Sequence, residues 1–362
     1  MTGLGPRGTD DRHGLPHVES HLGIDDLRSW AGTVGGTSVG GERLSFRSLR
    51  RSRRLGLTIA DLEREVRSQP EALERALAGL DANRLGDGSL LVGAGDSYAA
   101  AVCASQLSSL RVIAQDPLAL LDMADLGERS VCIVSVSGRT RTNLDVARVA
   151  RANGRTLVAI TADERSPLAR LADRVVTLPY RPVPRTPGML SFTLSLLALL
   201  KMALPDFRCD FRAAFQSAVP ASRALSISRR GTTFMLGNRA LYGVSIYGAA
   251  KVYELLGRKA QAEQLEQFGH MEVFSLSRSD SVNVLSGLGL RRREARLHSE
   301  LAKRGYTSRL VQPEGKSGVE RLFSVVFAVQ LAVIGAARRE GIEVPSFLRS
   351  RSALAVSDGV IY

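Results

Sequence analysis

The stretch VCIVSVSGRT, residues 131–140, changes character halfway along its length. Its first four residues are apolar, with β-branched character, which predicts a buried strand of a parallel sheet. Three hydroxyl side chains and a glycine follow within six residues, and a helical pattern begins at about Asn143. A strand, a hydroxyl-lined loop and a helix N-terminus together favour anion binding, because the first N–H groups of a helix are unpaired. The alternative is that Ser137 or Thr140 only caps the helix.

Short apolar strands alternate with helices on both sides of this stretch. After a Pro-Asp turn at residues 205–206, a second cycle repeats the first loosely. Further strands are predicted at residues 89–92, 111–114, 156–161, 174–178, 233–236, 282–285 and 309–311. Within the first helical region, Pro70 predicts the start of a second helix. The alternation implies an α/β fold of two doubly wound parallel-sheet modules in tandem, with a site in the cleft between them.

The composition divides the chain into four segments. Residues 1–56 form a polar, basic N-terminal extension with weak hydrophobic periodicity, and such a composition is compatible with disorder. The first module is assigned to residues 57–206 and the second to residues 207–345. Residues 346–362 are assigned to a C-terminal tail that closes the site.

The charge balance indicates an anionic partner. The chain has 362 residues and a net charge of +13, which by itself would suit nucleic acid. Only 5% of its residues are aromatic, and the arginines are spread along the chain without a nucleic-acid-binding signature. A small anionic substrate explains local positive charge as well, so nucleic acid is disfavoured as a partner.

The cysteines and the apolar segments indicate a cytoplasmic protein. Cys103, Cys132 and Cys209 are far apart and odd in number, as expected of reduced thiols and not of a disulfide framework or a metal site. No signal peptide is visible in the polar, glycine-rich N-terminus. The apolar segments 189–204 and 322–337 are short or interrupted, which favours buried helices over membrane spans.

No cofactor is expected. The turn at residues 93–95, Gly-Ala-Gly, lacks the third glycine of the dinucleotide fingerprint.

Three motifs make the chain resemble the two-module SIS (sugar isomerase) family, most closely the isomerase half of the glutamine–fructose-6-phosphate amidotransferases (glucosamine-6-phosphate synthases). The resemblance runs from about residue 62 to the C-terminus. Residues 135–140 match the Ser-x-Ser-Gly-x-Thr loop of the family, which is the most specific motif, and residues 95–98 match its first phosphate-side turn. Residues 248–254 match the Lys-x-x-Glu of its catalytic helix, and His270 falls at the family spacing behind that glutamate.

The resemblance implies a role for each of these residues. Glu254 would shuttle a proton between C1 and C2 of a sugar, with Lys251 beside it, and His270 would assist ring opening. In the family that histidine comes from the neighbouring subunit, which implies a homodimer with shared active sites. Spacing alone would make Lys251 and Glu254 an ordinary ion pair on one helical face. The sugar phosphate would be held by Ser97, Ser135, Ser137 and Thr140.

The chain also departs from the family pattern. It has no glutaminase half and no cysteine near its N-terminus, so we expect no glutamine-dependent synthesis. The tail contains no lysine to match the family lysine, where Arg349 or Arg351 could stand in. Asp96 puts a carboxylate next to the anion site, so it must either point away from the phosphate or accept a hydrogen bond from elsewhere.

The resemblance implies a 1,2-proton shift on a hexose or aminohexose 6-phosphate. One carboxylate can take and return the proton, and ring opening needs a group that titrates near neutral pH, which suits histidine. A glucosamine-6-phosphate deaminase/isomerase that gives fructose 6-phosphate is favoured. A glucose- or mannose-6-phosphate aldose–ketose isomerase is the alternative. A sugar-phosphate sensor, which would need the hydroxyl loop but not the carboxylate, is a second alternative.

Overall fold

A computed structural model describes residues 57–122, 127, 129–183 and 185–361. The described residues all belong to one unit, Leu55–Tyr362. The predicted N-terminal extension, residues 1–56, lies outside the described residues.

The first module is built on a five-stranded parallel sheet with the order β2-β1-β3-β4-β5. The strand after which the hydroxyl loop begins, β3, lies at the centre of this sheet. Its strands are β1 (Leu90–Gly93), β2 (Ile113–Gln115), β3 (Val131–Val134), β4 (Leu157–Thr161) and β5 (Arg174–Thr177). Its helices are α1 (Ile59–Gly79), α2 (Asp96–Leu107), α3 (Pro117–Leu121), α4 (Arg141–Ala152), α5 (Pro167–Leu171) and α6 (Leu190–Ala203).

The second module repeats this plan with a four-stranded parallel sheet of order β7-β6-β8-β9. The prediction of two doubly wound modules in tandem is confirmed. Its strands are β6 (Thr233–Leu236), β7 (Ala260–Glu263), β8 (Ser281–Leu285) and β9 (Thr307–Val311). The helices that follow α6 are α7 (Phe211–Ala224), α8 (Ala240–Lys251), α9 (Leu265–His270), α10 (Arg291–Lys303), α11 (Gly318–Arg339) and α12 (Arg351–Ile361). A π-helical turn, Val252–Leu256, extends α8, and 3₁₀ turns lie at Glu272–Ser275 and Ser346–Arg349.

The two apolar helices, α6 and α11, lie in the hydrophobic core. Nearly every residue of α6 and most residues of α11 are buried. Within the described part of the chain, α11 is the one helix long and apolar enough to cross a membrane, but 83% of its apolar window is buried inside the fold. Its hydropathy is that of a core helix.

The two modules meet where α2 packs against α8. Gly243 of α8 lies so close to α2 that a β-carbon there would be 2.5 Å from the carbonyl oxygen of Ala99. The Cys103 thiol of α2 donates to the carbonyl of Ala240 at 3.2 Å. This close approach brings the start of α2 to the end of α8, which carry Asp96 and Lys251.

The prediction that Pro70 begins a second helix is wrong, because α1 runs through it without a break. Leu62, Val66, Leu73 and Ala76 are buried along one face on both sides of the proline. A proline inside a helix costs about 3 kcal/mol or more, since it removes a hydrogen bond and crowds the preceding turn. Burial of the continuous apolar stripe outweighs that cost.

Candidate active site

A cavity of about 700 Å³ opens at the carboxyl ends of β1 and β3. Ligands of open α/β sheets bind at this edge of the sheet. The structure brings the four predicted phosphate ligands together in its lining: Ser97, Ser135, Ser137 and Thr140.

The loop after β3 leaves its hydroxyl groups available to a ligand. Thr140 occupies the N-cap position of α4, but its side chain makes no capping hydrogen bond. Its hydroxyl instead lies 3.4 Å from that of Ser135. Gly138 has a φ of 61°, which favours glycine, and any β-carbon there would collide with the side chain of Ser166. The glycine therefore lets the loop turn tightly and present hydroxyl groups to the cavity.

A wholly buried lysine joins the cavity to the second module. The ammonium group of Lys251, the last residue of α8, donates to Asp96 at 2.8 Å and to Glu254 at 2.5 Å. Asp96 lines the cavity and accepts this hydrogen bond, which resolves the question that the sequence left open. Glu254 lies in the π-helical turn, a rare geometry that is frequent at functional sites.

The charges of these three groups are coupled. Burial raises the pKa of Glu254 to about 7; Lys251 opposes this rise and Asp96 adds to it. Burial alone would lower the pKa of Lys251, but Asp96 and Glu254 outweigh it and raise that pKa. About a third of the Glu254 side-chain surface, 32%, remains accessible. The arrangement thus holds a charged lysine beside a partly exposed carboxyl group that exchanges its proton near neutral pH. Of the three groups, only Asp96 lines the cavity itself.

Tyr247 packs against Lys251 and is held by its own hydrogen bonds. Its ring stacks on Phe192 with centroids 3.8 Å apart, and the Lys251 ammonium lies 5.1 Å from its centroid. Its hydroxyl group donates to the Gly188 carbonyl at 2.8 Å and accepts from Gln330 at 2.9 Å. A β-carbon at Gly188 would collide with the carboxylate of Asp96. Tyr247 therefore ties the lysine to the turn that contacts Asp96.

His270 is not brought to this cavity within one chain. Its side chain is 72% exposed, and its imidazole lies 3.4 Å from Glu266 on the same helix, α9. It is absent from the cavity lining.

The structure adds polar residues that sequence reasoning missed. Asn143 Oδ1 and Thr186 Oγ1 are buried without hydrogen-bond partners, and both residues line the cavity. Asp358 of α12 also lines it and forms an ion pair with Arg185 at 2.7 Å. The position of Asn143 directly after the hydroxyl loop was an available signal. The Arg185–Asp358 pair spans 173 residues and leaves no local pattern.

A metal centre finds no support in the described part of the chain. Among residues 57–122, 127, 129–183 and 185–361, no three histidine, cysteine, aspartate or glutamate side chains form a group that could hold a metal ion.

The comparisons with known proteins agree with this fold. The SIS domain model matches residues 89–204. The glucosamine-6-phosphate deaminase of Thermotoga maritima has a TM-score of 0.64 at 21% identity, with 78% of this chain and 95% of that chain covered. The tagatose-6-phosphate ketose/aldose isomerase of Escherichia coli has a TM-score of 0.63 at 18% identity, with 77% and 93% covered.

The resemblance seen in the sequence has a structural counterpart. The C-terminal domain of glucosamine-fructose-6-phosphate aminotransferase from Francisella tularensis has a TM-score of 0.62 at 16% identity, with 78% of this chain and 97% of that chain covered. The comparison with curated proteins found no significant match. The family model identifies the first module, and the solved structures share the two-module fold. Residues 89–204 of this chain therefore match the SIS domain, within a two-module fold that the solved structures share.

Proposed function

We propose that this protein catalyses a 1,2-proton shift on a hexose or aminohexose 6-phosphate, and that it acts as a glucosamine-6-phosphate deaminase/isomerase giving fructose 6-phosphate. The observation that carries the proposal is the Asp96–Lys251–Glu254 group next to a hydroxyl-lined cavity. A phosphate-binding loop and a carboxyl group with a pKa of about 7 are the two parts that this reaction needs.

The cavity provides for both ends of the substrate. The phosphate accepts hydrogen bonds from the serine and threonine hydroxyls and from the N-terminus of α4. Sugar hydroxyl groups are natural partners for the unpaired polar atoms of Asn143 and Thr186, because buried polar groups are rarely left without a hydrogen bond.

Glu254 is the proposed proton shuttle. Its carboxylate removes the proton from C2 of the open-chain aldose and returns it to C1, while the group on C2 loses a proton and O1 gains one, so the isomerisation is neutral overall. With an amino group on C2 the product is an imine, which water hydrolyses to fructose 6-phosphate and ammonia. Lys251 touches Glu254 and Asp96, and we assign it the role of holding both carboxylates in place.

Ring opening requires a second group that titrates near neutral pH. We propose that His270 of a second copy supplies it, in a homodimer with shared active sites. The exposure of His270 and its absence from the cavity of its own chain support this assignment.

Two other functions remain candidates. A glucose- or mannose-6-phosphate aldose–ketose isomerase would use the same proton shift and the same residues. A sugar-phosphate sensor would need the hydroxyl loop but no carboxyl group with a pKa near 7, so the state of Glu254 favours an enzyme. We also propose a cytoplasmic location, which the three free cysteines support.

One experiment separates these functions. The purified protein is incubated separately with glucosamine 6-phosphate, glucose 6-phosphate and mannose 6-phosphate, and both ammonia and fructose 6-phosphate are measured. Ammonia with fructose 6-phosphate from the first substrate supports the deaminase. Ketose from the other two substrates without any ammonia supports the isomerase. Binding by thermal shift without turnover of any of the three would contradict an enzyme and favour the sensor.

A further inference from the structure

The second module has its own cavity at the edge that corresponds to the active-site cavity of the first. It has a volume of about 300 Å³. Its walls come from the turn after β6, the loop between β8 and α10, the start of α11 and the end of α2 in the first module. The four strands of the second sheet follow the same order as the first four of the first sheet, so the turn after β6 corresponds to the turn after β1, and the loop after β8 to the hydroxyl loop. We call it the arginine cavity, after Arg239, Arg291 and Arg321 in its lining.

The backbone of the two corresponding turns is the same. Gly95 precedes α2 with φ 58° and ψ −124°, and Arg239 precedes α8 with φ 52° and ψ −132°. Two residues earlier, Gly93 and Gly237 both pack against the residue four positions further on. The second module thus keeps the turn of a ligand-binding loop but places an arginine where the first has a glycine. Such a conformation costs a residue with a β-carbon of order 1–3 kcal/mol.

The charges in the arginine cavity are unbalanced. Three arginines line it, and no acidic residue does, within the part of the chain that the structure describes. Arg321 donates from Nη1 to the Gly315 carbonyl at 2.7 Å, while its Nε is buried without a partner. Outside this lining, the buried carboxyl group of Glu294 accepts from Ser286, and Arg291 interacts with it electrostatically. A buried guanidinium nitrogen without a partner and two further, exposed arginines make this lining suited to an anion.

We propose that the arginine cavity binds the phosphate group of a small phosphorylated molecule, at a site separate from the active site. Guanidinium groups match phosphate oxygens with paired hydrogen bonds, which distinguishes this cavity from the hydroxyl-lined one. The cavity contains no carboxylate that could move a proton, so its ligand is bound and not converted. The N-terminus of α8, which is the positive end of the helix dipole, lies at Ala240 in the same lining.

Inorganic phosphate is the probe for the test, with binding to the full chain measured by calorimetry. We expect two phosphates per chain in the unmodified protein. Arg239→Gly and Arg291→Ala should each weaken phosphate binding in the arginine cavity at least tenfold. Ser137→Ala should weaken only phosphate binding in the hydroxyl-lined cavity. The glycine variant relieves the backbone strain, so its melting temperature should not fall, and lost binding would not reflect misfolding.

The matched control is Arg292→Ala, which removes one exposed charge next to Arg291 from outside the cavity lining. We expect this variant to bind phosphate like the unmodified protein. A single phosphate per chain that Ser137→Ala abolishes would overturn the proposal. Equal binding by Arg239→Gly, Arg291→Ala and Arg292→Ala would overturn it as well. Neither result bears on turnover of sugar phosphates, which is measured separately.

Discussion

Lys251 shows how one residue can serve both the fold and the chemistry. A wholly buried ammonium group is expensive unless it is paired and hydrogen-bonded, and here two carboxylates from different elements pair with it. Both carboxylates pair with the same buried cation. This brings Asp96 close enough to Glu254 to raise the pKa of Glu254. The lysine thereby limits the rise in the pKa of the proposed base and links the two modules.

Glu254→Gln keeps the size and the hydrogen-bonding ability of the side chain but removes its basicity. We expect turnover of the active sugar phosphate to fall by about 10²- to 10⁴-fold, the usual contribution of a general base. Binding of the sugar phosphate, measured by calorimetry, should stay nearly unchanged. Glu263→Gln, on the edge strand β7, is the matched control and should retain full activity. Normal turnover by Glu254→Gln would show that another group is the base.

The raised pKa of Glu254 also predicts a pH dependence. The carboxyl group must be ionised to take a proton, so kcat/KM should be low below pH 7 and rise as the pH passes about 7. Lys251→Met removes the cation that lowers this pKa, so the rise should move to higher pH. The substrate phosphate has a pKa near 6 and contributes equally to the pH profiles of the unmodified protein and of Lys251→Met. A shift between the two profiles therefore assigns the rise to Glu254, and identical profiles would contradict the assignment.

At the scale of elements, the contact between α2 and α8 decides whether Asp96 and Lys251 meet. Gly243→Ala would place a methyl group 2.5 Å from the Ala99 carbonyl oxygen and from the Cys103 sulfur. We expect a loss of about 1–3 kcal/mol in the free energy of unfolding, together with reduced turnover, because the helices must separate. Gly79→Ala, with no atom within 4 Å of the new β-carbon, should be neutral or slightly stabilising. Chemical denaturation and the substrate assay measure both effects.

A second prediction at this scale concerns α12, whose Asp358 pairs with Arg185 beside the cavity. Both side chains are partly exposed, so the pair adds little to stability, and neither variant should change the melting temperature much. Their charges act in opposite directions on a phosphate. We expect Arg185→Ala to weaken sugar-phosphate binding several-fold and Asp358→Ala to strengthen it. If both variants weakened sugar-phosphate binding equally, the ion pair would act only by holding α12 in place.

The elements differ in how well their sequence predicts them. The central strands and the hydroxyl loop are predictable because hydrophobic runs and turn residues are local features. Strand β7 has the sequence Ala-Gln-Ala-Glu, with no β-branched residue, and becomes a strand by pairing with β6. Pro70 stays inside a helix because packing outweighs its local preference. The Asp96–Lys251 pair joins residues 155 positions apart, so only the three-dimensional contact of α2 and α8 reveals it.

At the scale of the whole molecule, each of the two modules has a cavity at the carboxyl end of its sheet, and the two cavities are lined by different side chains. The first cavity has hydroxyl groups and a lysine-linked carboxylate, and the second has arginines and no acid in its lining. The proposed division is therefore that the first site converts its ligand while the second only binds one. His270 is exposed and away from the first site, and its proposed role depends on a second copy of the chain.

Shared active sites predict complementation between two inactive variants. His270→Ala and Glu254→Gln each remove one proposed catalytic group, and in a symmetric dimer these groups meet from different chains. When the two variants are unfolded, mixed in equal amounts and refolded together, half of the dimers are mixed and one of their two sites is intact. Activity should return to about a quarter of the unmodified level. Each variant refolded alone controls for residual activity, and the dimer itself is checked by its sedimentation. No recovery in a verified mixed dimer would mean that His270 does not act on the site of its partner.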